Sequence, residues 1–142
     1  MASVEKSIII NKPADEVWAF LSNTAKWGDW FNGLGGIKVT SGDGGVGTTV
    51  EANITIANIP LPTKLEVVKA RPGEYWKAEF SSPGAVGTME WLYQGMGSRT
   101  KITFKIQADL KGPAKLAGGV ITKNFDGIAG KTLENIKAQL EG

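Results

Sequence analysis

A chain with neither histidine nor cysteine has few ways to do chemistry, and this sequence of 142 residues contains neither. The commonest general base and the commonest metal ligand are missing together, as are thiolate nucleophiles, disulfides and Cys-ligated metals. Acid–base work would fall to Asp, Glu, Lys or Tyr with shifted pKa values. Glu51, Glu66, Glu79 and Asp109 sit on the polar phase of alternating segments and are expected to face water, and Glu90 is out of phase with Met89 and Trp91. No paired carboxylates, nucleophile–base pair or metal-ligand spacing can be made out, so no catalytic residue, metal or cofactor is assigned. Tyr93, in phase with Trp91, is the one strand group expected to offer a proton or hydrogen bond inward. Asn124, beside Phe125, is a second candidate polar contact.

The richer signal is aromatic. Trp76, Phe80, Met89, Trp91, Tyr93 and Phe104 fall on strand phases predicted to point inward. Aliphatic side chains alone can fill a core, and indole and phenol groups want partners for their polar atoms. Several such rings opposite a glycine-containing helix that carries Ile121, Asn124 and Phe125 predict retained space, a ligand pocket rather than plain core. Trp27, Trp30 and Phe31 read as a lid over its mouth; a staple holding a short helix to the sheet, or a membrane-touching tip, are the other readings.

The elements that must position these residues follow from periodicity. Val4 to Asn11, with Ile8-Ile9-Ile10, predicts a buried strand. Pro13, followed by Asp15 and Glu16, opens a short helix whose Val17, Phe20 and Leu21 share one face. Lys26 to Phe31 predicts a second short helix or ordered loop. From about Ile37 to Asp109 the period becomes two: Val50, Ala52, Ile54 and Ile56; Leu65 and Val67; Trp76, Ala78 and Phe80; Met89, Trp91 and Tyr93; Ile102, Phe104, Ile106 and Ala108. Turn residues punctuate these runs at Gly42 to Gly45, Pro60 to Pro62, Arg71-Pro72-Gly73, Ser82-Pro83-Gly84 and Gly95 to Ser98. The short links imply an antiparallel meander with one wet face. Beyond Gly112-Pro113 a helical stripe of Ala117, Ile121, Phe125, Ile128, Ile136 and Leu140 appears, with Leu116, Ala129 and Leu133 beside it. Gly118, Gly119, Gly127 and Gly130 weaken its first half.

The fold class is therefore α+β: a curved antiparallel sheet of about seven strands around a long C-terminal helix, with two short helices after the first strand. The length suits one domain over residues 1–142. Sixteen Lys and Arg against fourteen Asp and Glu, scattered singly, give no concentrated basic patch, so no nucleic-acid partner is expected. No window approaches the roughly 20 apolar residues of a transmembrane helix. The first residues lack a signal peptide's pattern, which makes the cytoplasm the expected location. Gly42-Asp43-Gly44-Gly45-Val46-Gly47 lacks the Lys-Ser/Thr and following helix of a phosphate loop and reads as a hairpin connection.

This order resembles the START/Bet v 1-like (SRPBCC) superfamily, particularly its polyketide cyclase/dehydrase and lipid-transport branch, over essentially the whole chain. The resemblance rests on Ile10 to Trp18 as strand-to-helix entry, Trp27 to Trp30, Gly47 opening a strand, the Val67-Val68…Arg71-Pro72-Gly73 turn, and the closing Leu133…Ile136-Lys137…Leu140-Glu141. Asn23 departs from the pattern, standing where members often carry Asp. The resemblance implies a helix-grip fold with a cavity between sheet and helix, where members bind lipids, sterols, quinones, polyketides or plant hormones and some catalyse cyclisation, dehydration or ester hydrolysis.

Three functions follow as expectations. The leading one is non-catalytic binding or carriage of a small hydrophobic molecule, a lipid, quinone or polyketide-like compound. The alternative is a polyketide cyclase/dehydrase-like enzyme acting in the same cavity, and the third is a protein-interaction module. Oligomeric state and ligand identity stay open at this level.

Overall fold

Apolar residues at every second position fold into strands only when another strand supplies the backbone hydrogen bonds, and here each strand finds its neighbour in chain order. The computed structural model describes residues 2–23, 26–43, 45–56 and 58–141. Its strands are β1 (Ala2–Ile10), β2 (Leu34–Ser41), β3 (Thr49–Ile56), β4 (Ile59–Arg71), β5 (Tyr75–Ser82), β6 (Ala85–Met96) and β7 (Arg99–Leu110). They form one antiparallel sheet in the order β1-β7-β6-β5-β4-β3-β2. Helices α1 (Ala14–Leu21) and α2 (Trp27–Trp30) follow β1, and a 3-10 turn (Gly112–Ala117) leads into α3 (Gly118–Glu141). This is the expected helix-grip arrangement. No helix among the described residues is long and apolar enough to cross a membrane.

Register sorts the two faces. On the outer face Lys77, Glu90, Lys105 and Glu5 stand opposite one another across β5, β6, β7 and β1, a row of alternating charge. Each such cross-strand pair contributes roughly 0.2–1 kcal/mol. On the inner face the matching row is Trp76, Trp91, Phe104 and Lys6. Lys6 can occupy an inner position because its ammonium reaches past the sheet edge to Asp126 of α3 at 3.3 Å. A register shift between Val67 and Lys69, where β4 pairs with β5, is the kind of bulge that bends and twists a sheet.

Three expectations need correction. Pro60 and Pro62 were expected in a turn but lie within β4, opposite Thr55 and Asn53, and the chain turns instead near Asn58, whose φ is 66°. The reason is the direction of the missing N–H. Thr55 donates toward β2, to the Gly33 carbonyl at 2.8 Å, so its partner Pro60 points its nitrogen away from β3. Pairing with β5 starts only at Lys64, so neither proline removes a ladder bond. Second, Leu116, expected beside the helical stripe, is 94% exposed. It belongs to the 3-10 turn, whose three-residue period does not continue the phase of α3. Third, β2 shows no alternation in burial, because this edge strand is largely exposed on both faces. Gly44 of the β2–β3 connection lies outside the described residues, while Gly42 and Gly47 there adopt φ of 91° and 92°.

α3 is held unevenly. Its buried residues are Phe125, Ile128, Ala129, Thr132, Leu133 and Ile136, with none in its first two turns. Asn135 donates to the Trp30 carbonyl at 3.1 Å, and the Thr132 hydroxyl accepts from the Asn32 backbone N–H at 3.0 Å. Before Phe125, Thr122 donates back to the Gly118 carbonyl at 2.8 Å and Asn124 to the Val120 carbonyl at 2.9 Å. Glycines at 118 and 119 add backbone freedom to that stretch, and Gly127 lies just past it.

Candidate functional site

Between the concave face and the helices lie two small apolar cavities. The outer one, about 50 Å³, is bounded by β3, the start of β4, the β5–β6 hairpin, β7 and the first half of α3. The inner one, about 10 Å³, lies between α1, α2, β5 and β6. Phe31 and Met89 line both and form the partition between them.

The candidate residues divide between the two. Phe80, Met89, Ile121 and Phe125 line the outer cavity, together with Phe31. Trp76, Met89, Trp91 and Tyr93 line the inner one, with Trp27, Trp30 and Phe31. Two candidates line neither. Phe104, the cross-strand neighbour of Trp91, lies flat against it with ring centroids 4.0 Å apart and an interplanar angle of 5°, beside the chamber rather than on its wall. Asn124 turns its amide back to the Val120 carbonyl at 2.9 Å.

The lid residues are buried rather than poised over an entrance. Trp27 meets Trp76 edge-on at 5.7 Å and donates its indole N–H to the Leu21 carbonyl at 2.9 Å. Trp30 stacks on Phe31 at 5.6 Å and meets Trp91 edge-on at 5.7 Å. Helix α2 is a single turn and cannot persist alone, so these rings both anchor it and fill space under the sheet. They form an interior plug, and none of the three is presented at the surface.

Sequence reasoning missed the mouth of the outer cavity: Leu61, Pro83, Gly84, Ala85 and Ala114. These come from turns, strand ends and the 3-10 segment, where no period marks an inward face. It also missed Trp18 in the inner chamber, whose ring lies 5.3 Å from that of Tyr93. Its spacing of three from Leu21 on α1 was the available signal, because both residues line the same chamber.

The electrostatics are simple. Tyr93 is the one titratable group lining either cavity among the described residues. Burial pushes its phenol well above the ordinary range, and no carboxylate or ammonium offsets this. Its hydroxyl has no hydrogen-bond partner among the described residues. On the outer face, Tyr75 donates to the Glu90 carboxylate, and partial burial followed by that bond raises Tyr75 to about 12. No cluster of three or more acidic side chains able to hold a metal ion occurs among the described residues.

This geometry, an apolar interior gripped between a seven-stranded sheet and one long helix, matches a family profile described as polyketide cyclase / dehydrase and lipid transport over residues 1–141. The chain belongs to that family. Solved structures agree on the fold. The Zhui aromatase/cyclase from Streptomyces sp. R1128 superposes with a TM-score of 0.82 at 16% identity, over 98% of this chain and 93% of that one. A START superfamily protein from Mycobacterium smegmatis gives 0.75 at 10% identity, over 98% and 97%. A conserved protein from Geobacillus kaustophilus gives 0.72 at 14% identity, over 98% and 95%. No curated protein matches the chain by sequence. The family thus establishes the helix-grip fold, and its description spans both catalysis and transport.

Proposed function

We propose that the protein binds or carries a small hydrophobic molecule between the sheet and the first half of α3. The observation that carries this reading is the outer cavity, whose lining is almost wholly hydrocarbon and which reaches the surface beside the most loosely tied part of α3. At about 50 Å³ the resting cavity is far below the ~300–1,000 Å³ typical of ligand sites. A lipid-sized or polycyclic ligand therefore enters by displacing side chains and the start of α3. The glycines at 118, 119 and 127 and the confinement of buried helix residues to Phe125 onward fit such an opening.

The enzymatic alternative needs a buried group that gives up or takes a proton near neutral pH. Tyr93 is the candidate in reach, and its raised pKa suits a standing hydrogen-bond donor better than a general acid. The interaction-module reading draws on aromatics of the sheet or of the lid, and the lid residues Trp27, Trp30 and Phe31 are buried.

Native mass spectrometry of the protein as isolated, then after incubation with excess fluorene, tests the proposal. A one-to-one apolar adduct in either sample supports it. A protein that keeps its bare mass in both contradicts it.

A further inference from the structure

Trp27 and Trp30 bound the same inner chamber, but only one of them has its polar atom satisfied. The Trp27 indole N–H reaches the Leu21 carbonyl at 2.9 Å. Trp30 is 2% exposed, and its Nε1 is a buried side-chain polar atom with no hydrogen-bond partner among the described residues. A buried donor left without an acceptor is uncommon in folded proteins and costs free energy, so it asks for an explanation. Trp30's edge-on approach to Trp91 offers at most a ring face, a weaker acceptor than oxygen. Tyr93, half-buried on the wall of the same chamber, adds a hydroxyl that can donate there.

We infer that the inner chamber receives a neutral, hydrogen-bond-accepting oxygen of ketone, quinone or ester type, carried at one end of an otherwise hydrophobic ligand and bonded by Tyr93 and Trp30. Three observations narrow the class. An indole N–H can only donate, so the ligand atom that satisfies Trp30 is an acceptor. Among the described residues no lysine or arginine lines either cavity, and burying a carboxylate without a cation is costly, so the acceptor is uncharged. The chamber holds about 10 Å³, the room of a single small group, and shares Phe31 and Met89 with the larger apolar cavity. The oxygen goes inward and the hydrocarbon body lies outward. This deepens the carriage reading and rests on it.

The test compares 9-fluorenone with fluorene, which share a tricyclic skeleton and differ by one carbonyl. The expected result is about tenfold tighter binding of fluorenone, the effect of one or two hydrogen bonds, one of them to the unpaired buried indole N–H of Trp30. The ratio of the two affinities should fall toward one in Tyr93→Phe and in Trp30→Phe. In 15N-labelled wild-type protein, fluorenone should shift the Trp30 indole N–H resonance downfield more than fluorene does, with the satisfied Trp27 indole as internal reference. That measurement stands even if a variant fails to fold. Equal affinities for the two compounds, or a Trp30 indole shift no larger with the ketone, overturns the inference while leaving hydrophobic carriage intact. Failure of both compounds to bind removes the carriage reading along with it.

Discussion

Trp91 and Phe104 lie parallel at 4.0 Å on adjacent strands, so the floor of the inner chamber is set by a residue that does not touch it. Phe104 is wholly buried and also meets Phe31 edge-on at 5.8 Å, which couples the sheet to the partition between the cavities. Phe104→Ala should cost about 3–5 kcal/mol, the range for deleting a buried ring. Urea unfolding followed by tryptophan fluorescence measures it. A loss below about 1 kcal/mol would mean that the layer is not packed as described.

Glycines separate by role. A Cβ on Gly87 would sit 1.9 Å from the Gln107 carbonyl oxygen, closer than backbone atoms permit. Gly87→Ala should therefore force β6 and β7 apart at a cost of about 1–3 kcal/mol. At Gly127 of α3 nothing lies within 4 Å of the added carbon. Gly127→Ala should stabilise the helix by about 0.5–1 kcal/mol and slow ligand uptake, since it stiffens the segment that must move. Thermal unfolding of both variants, with stopped-flow mixing of fluorene for the second, checks this pair. Faster uptake in Gly127→Ala would contradict the proposed opening.

The two tyrosines should titrate apart. Tyr75 rises to about 12 through partial burial and its bond to Glu90, whereas burial alone pushes Tyr93 higher still. Both folded-state values exceed the unfolded phenol value of about 10. Their contribution to stability is thus complete below that pH and is lost as pH rises through the folded values. Absorbance of phenolate at 295 nm should show one tyrosine ionising near pH 12 and the other only as the protein unfolds. A single transition of both near pH 10 would contradict the burial of Tyr93.

Glu141 clasps the end of α3 to the turn after β1. Its carboxylate accepts from Lys137 at 2.6 Å, the Asn11 backbone N–H at 3.0 Å and the Asn11 side chain at 3.2 Å. The bond from Lys137 leads in holding its pKa below the usual value, followed by that from Asn11. A lowered carboxylate pKa gives stability present above the unfolded value and lost as pH falls through the folded one. Glu141→Gln should therefore melt lower than wild type at pH 7 and equally at pH 2.5. A difference in melting temperature that persists in acid would show the clasp to be something other than ionic.

The alternating strands were legible because burial on one face writes a period of two into β3, β5, β6 and β7, and Trp76, Trp91 and Met89 land where that period puts them. Edge strand β2 carries no such mark, because neither of its faces is consistently buried. The prolines of β4 misled because the side of a strand to which a missing N–H points depends on pairing, which a local motif does not record. The direction of Trp27, Trp30 and Phe31 was illegible for a related reason: a one-turn helix has too few residues for a periodic face. The volume left between Phe31, Met89 and Phe125 depends on rotamers, so the sequence could suggest retained space without saying how little of it is open at rest.

The central claim is that a hydrophobic ligand occupies the outer cavity, entering past the β5–β6 hairpin and the segment leading into α3. Ala114, on the 3-10 turn, lies at this mouth against Gly84, where a larger side chain obstructs the passage without crossing the core. Equilibrium dialysis with fluorene, run on wild type and Ala114→Trp after matching their melting temperatures, tests the claim directly. The account predicts one-to-one binding by the wild type and at least tenfold weaker binding by the variant. Equal binding by a properly folded Ala114→Trp would place the ligand elsewhere and contradict it.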